Sequence, residues 1–207
     1  MNNKFFIVGG DRYGETSVLR AYGFTPVDTM NECDFVVFTG GADINPAIYG
    51  EEAHRSVYFS EGRDRHEIEG YEAAKGLGKA FLGICRGAQL LNCLVGGKLY
   101  QDINHRGFHE LVTDDGQRFM SNSVHHQMMR VTDGAIIKAW AHNLSVDHHL
   151  YMKDGKEAND KVVEKEPEIV IYPEHRMVLV QGHPEFSATD PELHTFRQYV
   201  FDLIKEA

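Results

Sequence analysis

Long apolar runs are missing from this sequence. Its strongly apolar stretches, such as Phe35–Phe38, are far below the roughly 18–20 residues that a membrane helix requires. Near the start, Lys4 precedes only the apolar run Phe5–Val8, which is too short for the core of a secretory signal and is not followed by a small-residue cleavage site. The sequence therefore predicts a cytoplasmic protein with no membrane partner.

Cysteine, positive charge and nucleotide-binding glycine motifs are also scarce or absent. The three cysteines (Cys33, Cys85 and Cys93) are an odd number in a chain long enough to form a core, so all three thiols are predicted to be free. With 21 basic against 31 acidic residues, the net charge of −10 repels phosphate backbones and argues against a nucleic-acid partner. No nucleotide site and no cofactor are expected, because neither G-x-G-x-x-G nor G-x-x-x-x-G-K-[ST] occurs.

The composition and periodicity fit one globular domain over residues 1–207. The chain has 207 residues, of which 42% are apolar, an ordinary balance for a folded domain. Buried strands are predicted at Phe35–Phe38, Ala80–Ile84 and Met177–Val180, and helical periods follow several of the strands. Short alternating runs appear after Gly97. Together they predict an α/β fold with an open, mainly parallel twisted sheet flanked by helices and a small antiparallel addition.

A cysteine stands between a predicted strand and a predicted helix. Gly83-Ile84-Cys85-Arg86-Gly87 is the cysteine form of the G-x-S-x-G pattern, which holds a nucleophile on a tight turn. The N-terminus of the following helix favours a thiolate and can bind an oxyanion. Taken alone, Cys85 could be a small buried hydrophobe, but the charged neighbour Arg86 and the presence of a partner base favour a nucleophile.

The candidate base lies at the end of another predicted strand. His183 follows Met177–Val180, so it should emerge at the carboxyl edge of the sheet, where ligands bind in open α/β folds. Glu185, two residues further on, could accept a hydrogen bond from the imidazole and fix its tautomer. The sequence thus predicts a Cys85–His183–Glu185 constellation.

These residues resemble a known family. Gly83–Gln89 together with His183–Glu185 is similar to the class I glutamine amidotransferases, whose Cys-His-Glu triad has this chain order. Further stretches resemble the γ-glutamyl-γ-aminobutyrate hydrolase branch: Gly40–Glu51, Arg63-Asp64 with Glu67, Asn92–Asp102 and Asn122–Gln127. The resemblance runs from about Phe35 to Glu185 and implies a flavodoxin-like, three-layer fold.

The resemblance also implies roles for individual residues. Cys85 would be the nucleophile, His183 the general base and then acid, and Glu185 the group that orients His183. The oxyanion hole would be formed by the backbone N–H groups of Gly41 and Arg86. The glutamyl group would be held by Gln89, His125, His126 and Gln127.

Other histidines carry no predicted chemistry. His105 and His109 are four residues apart, but no Cys or carboxylate cluster completes a metal shell and Gly107 argues against a continuous helix, so no metal is expected. His148-His149 is interpreted as a solvated turn, within a stretch from Ala141 to Pro167 that reads as irregular and charged.

The predicted function is that of a cysteine hydrolase. It would cleave a γ-glutamyl amide bond, in glutamine or a γ-glutamyl amine, through a glutamyl thioester. One alternative is an ammonia-supplying glutaminase subunit that docks on a synthetase chain. Another is a non-catalytic module that binds a glutamyl metabolite or regulates a partner. The sequence does not specify the leaving amine or the oligomeric state.

Overall fold

The computed structural model describes residues 3–142, 144–186 and 190–206. Its four α-helices are α1 (Glu15–Ala21), α2 (Glu61–Gly76), α3 (Arg86–Leu94) and α4 (His194–Glu206). Its strands are β1 (Lys4–Ile7), β2 (Thr25–Pro26), β3 (Phe35–Phe38), β4 (Ala80–Ile84), β5 (Lys98–Tyr100), β6 (Asp102–Ile103), β7 (Gly107–Thr113), β8 (Arg118–Ser123), β9 (Met128–Arg130), β10 (Ile136–Ala141), β11 (His149–Lys153), β12 (Lys156–Asn159), β13 (Glu166–Tyr172) and β14 (Met177–Val180). Among these described residues, no helix is both long enough and apolar enough to cross a bilayer.

Nine strands form the main sheet, in the order β2-β1-β3-β4-β14-β13-β10-β7-β8. The pairs from β2 to β14 are parallel, and the pairs from β14 to β8 are antiparallel. Consequently β13 and β7 run opposite to the other seven strands. The predicted α/β fold with a mainly parallel sheet is confirmed, and the antiparallel portion extends over one whole side of the sheet.

The sheet is covered by helices on both faces because its central strands are apolar on both sides. In β3, Phe35 and Val37 pack in one core with side chains of α1 and α4, whereas Val36 and Phe38 pack in a second core with side chains of α2 and α3. All four residues of β3 are at most 1% exposed. Successive side chains of β3 point to opposite faces of the sheet, and all of them are apolar. Helices therefore pack on both faces, which gives a helix–sheet–helix arrangement of three layers.

The stretch from Ala141 to Pro167 is more regular than expected. Apart from residue 143, which lies outside the described residues, it contains the antiparallel hairpin β11–β12, and β11 also pairs with β6. The interpretation of His149 as a solvated residue was wrong: its ring is fully buried, and its Nε2 lies 2.8 Å from Glu166 Oε1. A buried carboxylate partner makes burial of this imidazole favourable.

Candidate active site

Cys85 occupies the turn between β4 and α3, where the G-x-C-x-G spacing places it. Its backbone has φ 49° and ψ −108°, a left-handed conformation that is strained for a residue with a side chain. The flanking glycines are required by close packing. A Cβ atom at Gly87 would lie 2.2 Å from the Phe38 carbonyl oxygen, and one at Gly83 would lie 2.7 Å from the Ala88 backbone. The local sequence thus holds the thiol on a tight, rigid elbow.

His183 reaches Cys85 because β4 and β14 are neighbours in the sheet. Ile84 is aligned with Val180, and the Cys85 N–H donates to the Val180 carbonyl at 2.6 Å. A Cβ atom built on Gly40 would lie 2.8 Å from His183 Cε1 and 3.7 Å from Cys85 Cβ, so both side chains border the same small space. Residues far apart in the chain therefore converge at the carboxyl edge of the parallel strands.

The imidazole of His183 is held at one nitrogen and open at the other. Its Nδ1 donates to Glu185 Oε1 at 2.6 Å, and Phe186 stacks on the ring at a centroid distance of 4.2 Å. Its Nε2 makes no hydrogen bond within the part of the chain that the structure describes, and the ring lines the same cavity as Cys85. Burial disfavours the imidazolium, but the electrostatic interactions with Cys85 and Glu185 outweigh it and raise the pKa of His183 to about 10.

Asn122 fixes the backbone of His183. The Asn122 amide donates to the His183 carbonyl at 2.8 Å, and its oxygen accepts from the His183 N–H at 2.7 Å. The sequence motif includes Asn122, but its clamping role was not predicted, because only the fold brings the end of β8 against the loop after β14. This pair of bonds sets the direction in which the imidazole leaves the main chain.

A cavity of about 180 Å³ adjoins the thiol and the imidazole. Seven predicted site residues line it: Gly41, Cys85, Gln89, His125, His126, Gln127 and His183. Four other residues complete its wall: Tyr13, Asp43, Val124 and Phe186. For Asp43 the sequence permits two interpretations, a loop-forming turn or a substrate contact. Its carboxylate accepts from the Tyr58 N–H at 2.8 Å and lies 3.0 Å from His126 Nε2, so it organises the loop and one cavity wall together.

The turn containing Gly41 is held by Arg63. The Arg63 guanidinium donates to the carbonyls of Gly40 at 2.8 Å and Thr39 at 3.2 Å. Gly41 has φ 148°, and a Cβ atom there would lie 1.9 Å from Arg63 Nη1. A side chain at position 41 would therefore require both a rare backbone conformation and displacement of the arginine.

The Arg86 side chain points away from the cavity into a buried ionic cluster. It is 1% exposed and forms ion pairs with Asp64 and Glu67, while Arg63 Nε donates to Glu67 at 2.7 Å. Burial raises the pKa of Asp64, and the charge of Arg86 opposes this rise. These ion pairs connect α2 to Arg86, the first residue of α3. The backbone N–H groups at the start of a helix have no acceptors within the helix, so this end of α3 is held in place with its N–H groups available.

The Gln127 carbonyl organises the wall opposite the elbow. It accepts from Gln89 Nε2 at 3.0 Å, His125 Nδ1 at 2.9 Å and Gln181 Nε2 at 3.3 Å. His126 faces the carboxylates of Asp43 and Asp102, and the hydrogen bond with Asp43 raises the pKa of His126 in spite of burial. The predicted glutamyl-binding residues Gln89, His125, His126 and Gln127 all line the cavity, and their roles toward a substrate stay predictions.

A second group of histidines meets a carboxylate behind this wall. Glu168 Oε1 lies 3.2 Å from His125 Nε2, 3.3 Å from His105 Nδ1 and 3.7 Å from His109 Nε2. The reason given for expecting no metal, the lack of a carboxylate near these histidines, was therefore wrong. Glu168 comes from β13, a distant part of the chain that pairing within the sheet brings beside β10 and thus near β7.

Solved structures define the class of protein to which this fold belongs. A glutamine amidotransferase from Thermotoga maritima superposes with a TM-score of 0.59 at 13% identity, covering 100% of this chain and 90% of that chain. A "putative GMP synthase" subunit from Thermoplasma acidophilum superposes with a TM-score of 0.62 at 15% identity, covering 100% and 96%. The fold is that of the class I glutamine amidotransferases, as the sequence motifs predicted.

Sequence comparison then gives the family. Residues 25–185 match the family model Peptidase C26, and the chain belongs to this family. The "Putative glutamine amidotransferase-like protein YvdE" of Lactococcus lactis is 32% identical over 175 residues. The match covers 73% of this chain and 66% of that protein, just under two thirds of its length.

Proposed function

We propose that this protein is a cysteine hydrolase that opens a γ-glutamyl amide bond, in glutamine or a γ-glutamyl amine, through a glutamyl thioester. One observation carries the proposal. The imidazole beside the Cys85 elbow is bonded to Glu185 through Nδ1, and its Nε2 has no hydrogen-bond partner among the described residues. This arrangement is what a nucleophile and its proton-transfer partner require.

The residues at the cavity account for each step. The Cys85 thiolate attacks the γ-carbonyl carbon, and the N–H groups of Gly41 and Arg86 stabilise the oxyanion of the tetrahedral intermediate. His183 transfers its proton to the departing nitrogen as the C–N bond breaks, which leaves a glutamyl thioester and free amine or ammonia. His183 then removes a proton from water, the water oxygen attacks the thioester carbon, and the C–S bond breaks. Glutamate leaves, and the Cys85 thiolate is restored beside the protonated His183.

The raised pKa of His183, at about 10, supports this order of events. Near neutral pH the imidazole carries the proton that the leaving nitrogen needs, so the resting state is an imidazolium beside Cys85. Glu185 stabilises the imidazolium through Nδ1. The same carboxylate keeps Nε2 directed toward the reacting atoms.

The cavity favours a small substrate. Its volume of about 180 Å³ is below the roughly 300–1,000 Å³ that is typical of sites for drug-sized ligands. Its far wall offers the amide of Gln89, the backbone of Gln127 and the His126–Asp43 pair. Neutral polar groups and a paired charge are suited to the amino and carboxylate groups of a glutamyl moiety.

A second candidate function is an ammonia-supplying subunit. One of the structural neighbours is named as a GMP synthase subunit, and that chain is covered to 96% by the present fold. A subunit of this kind would be slow until a synthetase docks near the cavity. The non-catalytic binding module is disfavoured by the buried His183–Glu185 hydrogen bond and the strained elbow, because strain is retained where it serves a function.

The test is turnover by the isolated protein with glutamine and a panel of γ-glutamyl amines, following glutamate and amine release. We expect turnover of at least one substrate without a partner, and a loss of at least about 10³-fold in Cys85→Ala. Cys33→Ala is the matched control, because this thiol is also buried but donates to the Met30 carbonyl at 3.1 Å and is not among the residues that line the cavity. A Cys85→Ala protein that retains the wild-type rate would refute the proposal.

Iodoacetamide separates the alternatives. Fast alkylation of Cys85 at neutral pH, suppressed by a glutamyl substrate, supports the hydrolase. Fast alkylation in a protein that turns over nothing alone supports the synthetase-dependent form. Slow alkylation that no glutamyl compound alters supports the binding module.

A further inference from the structure

Four ionisable side chains meet in the interior behind the Gln127 wall. His105 precedes β7, His109 lies on β7, His125 follows β8, and Glu168 lies on β13. Their exposed fractions are 0%, 7%, 4% and 0%. We refer to these four residues as the histidine cluster. The proposed bond-making and bond-breaking steps use none of these four side chains. His125 lines the cavity, but its Nδ1 is bonded to the Gln127 carbonyl and its Nε2 faces Glu168.

The polar atoms of the cluster lack hydrogen bonds. Seven buried atoms have no hydrogen-bond partner within the described ranges: both ring nitrogens of His105, both of His109, Nε2 of His125 and both carboxylate oxygens of Glu168. Leaving one buried polar group unsatisfied costs about 1–3 kcal/mol, and a buried charge without compensation costs more. So many unsatisfied atoms in one place indicate a missing positive partner.

The tautomer of His125 indicates what that partner is. Its Nδ1 lies 2.9 Å from the Gln127 carbonyl, which can only accept, so Nδ1 carries a proton. In the neutral ring, Nε2 then carries no proton, and its lone pair faces the Glu168 oxygen at 3.2 Å. Two acceptors oppose each other there. A cation between them removes the repulsion, and metal-binding histidines commonly donate their other N–H to a backbone carbonyl in this way.

The spacing of the donor atoms fits tetrahedral zinc. Metal–ligand bonds of about 2.0–2.2 Å at tetrahedral angles separate neighbouring ligand atoms by roughly 3.3–3.6 Å. Glu168 Oε1 is 3.2, 3.3 and 3.7 Å from the nearest nitrogens of His125, His105 and His109. The donor atoms of His105, His125 and Glu168 all lie within 4.8 Å of one another. Two imidazoles and one carboxylate are a common protein set for zinc, and His109 lies beside this group without belonging to it.

We propose that the histidine cluster binds one zinc ion as a structural site, with His105, His125 and Glu168 as its protein ligands. The ion would connect β13 to the residue segment before β7 and to the segment after β8. Through His125 it would also fix the Gln127 carbonyl, which holds Gln89 and Gln181. The ligands are buried, and of the three only His125 lines the cavity, with its Nε2 turned to Glu168, so the site positions the cavity wall and performs no step on the substrate.

The test uses the whole chain, produced without a polyhistidine tag. Elemental analysis of the purified protein, and of protein stripped with dipicolinate and then given ZnCl₂, should show about one zinc per chain. Stripped protein should gain thermal stability with added zinc, by roughly 5–10 °C at a zinc concentration a hundredfold above the Kd. Cobalt substitution should give the strong visible absorption of a tetrahedral site.

Matched variants locate the ion. His105→Gln and Glu168→Gln should lose the bound zinc and the zinc-dependent shift in Tm, whereas His175→Gln, at an exposed position, should keep both. Where a variant does not fold, the cobalt spectrum of the wild type decides. Wild-type protein that takes up no zinc beyond surface levels and shows no zinc-dependent Tm would overturn the proposal. Because all readouts concern metal and stability, this result is independent of whether the protein hydrolyses γ-glutamyl amides.

Discussion

Two groups of imidazoles and carboxylates lie close together in this protein and differ in where their nitrogens point. At the cavity, His183 has one nitrogen bonded to Glu185 at 2.6 Å and the other directed at open space beside Cys85. In the histidine cluster, three rings converge on one oxygen of Glu168 at 3.2–3.7 Å. The first arrangement leaves a nitrogen free to exchange protons with a substrate. The second directs lone pairs at one point, where a metal ion can accept them.

The comparison shows that residue type alone does not define a site. Both groups are buried and both pair a histidine with a glutamate. The differences are access to the cavity and the hydrogen bond that fixes each tautomer. In the first group a carboxylate accepts from Nδ1, whereas in the second group a backbone carbonyl accepts from Nδ1 of His125 and the carboxylate faces Nε2.

The largest effect that separates the two groups is expected at Gly41. Gly41→Ala places a Cβ atom 1.9 Å from Arg63 Nη1 and should displace the N–H group that we propose for the oxyanion hole, so kcat should fall by about 10²–10³. The zinc-dependent rise in Tm should stay unchanged. Steady-state kinetics and thermal unfolding with and without zinc measure both.

Gly62→Ala is the control for Gly41→Ala, because Gly62 lies in α2 with open space around its Cβ position. It should keep the wild-type kcat. If Gly41→Ala also keeps kcat within about threefold of the wild type, the assignment of the oxyanion hole is wrong.

Neighbouring residues at the end of β8 give a more selective test. Asn122 holds the His183 backbone, and the Ser123 hydroxyl donates to the His105 carbonyl. Asn122→Ala should lower kcat by roughly tenfold, because it removes the two hydrogen bonds that position His183. Ser123→Ala should instead weaken zinc binding and leave kcat within about threefold of the wild type.

Steady-state kinetics and zinc titrations on Asn122→Ala and Ser123→Ala test whether the two groups are separate. The two groups are separate if each variant affects only its own readout. If both variants change both readouts to the same extent, the two groups behave as one coupled unit and the distinction drawn between them fails.

The smallest effect is expected in the pH dependence of stability. The pKa of His183 is raised from its ordinary value of 6.5 to about 10, so the protonated ring stabilises the folded state. This contribution is fully present below pH 6.5 and is lost as the pH rises toward 10. The Tm difference between wild type and His183→Asn should therefore be largest below pH 6.5 and shrink toward pH 10. A difference that grows over this interval would contradict the assigned direction.

The sequence predicted the elbow and the strands around it because their determinants are local. Gly83 and Gly87 flank Cys85 within five residues, and the apolar runs at β3, β4 and β14 are typical of buried strands. His183 could be placed at the sheet edge because it directly follows one of these runs. Of the residues that these short motifs identify, Cys85, Gln89 and His183 line the cavity together.

The parts that sequence reasoning missed depend on long-range pairing or on weak patterns. Glu168 is 43 positions from His125 (168 − 125), and no spacing rule connects them. The β11–β12 hairpin has few fully buried residues, which hid its strands. A signal was nevertheless present: Asp154 and Gly155 both have positive φ, and an Asp-Gly pair is typical of a two-residue hairpin turn. Asn122 had no distinguishing signal at all.

The adjacency of β4 and β14 also bears on the order in which the protein is made. β14 is inserted between β4 and β13 and belongs to the last third of the chain. A nascent chain that has not yet extended past Met177 carries the elbow thiol without the histidine 98 positions downstream (183 − 85). Closing so long a loop is slow compared with forming local helices, so we expect Cys85 and His183 to come together only after the whole segment between them has been synthesised.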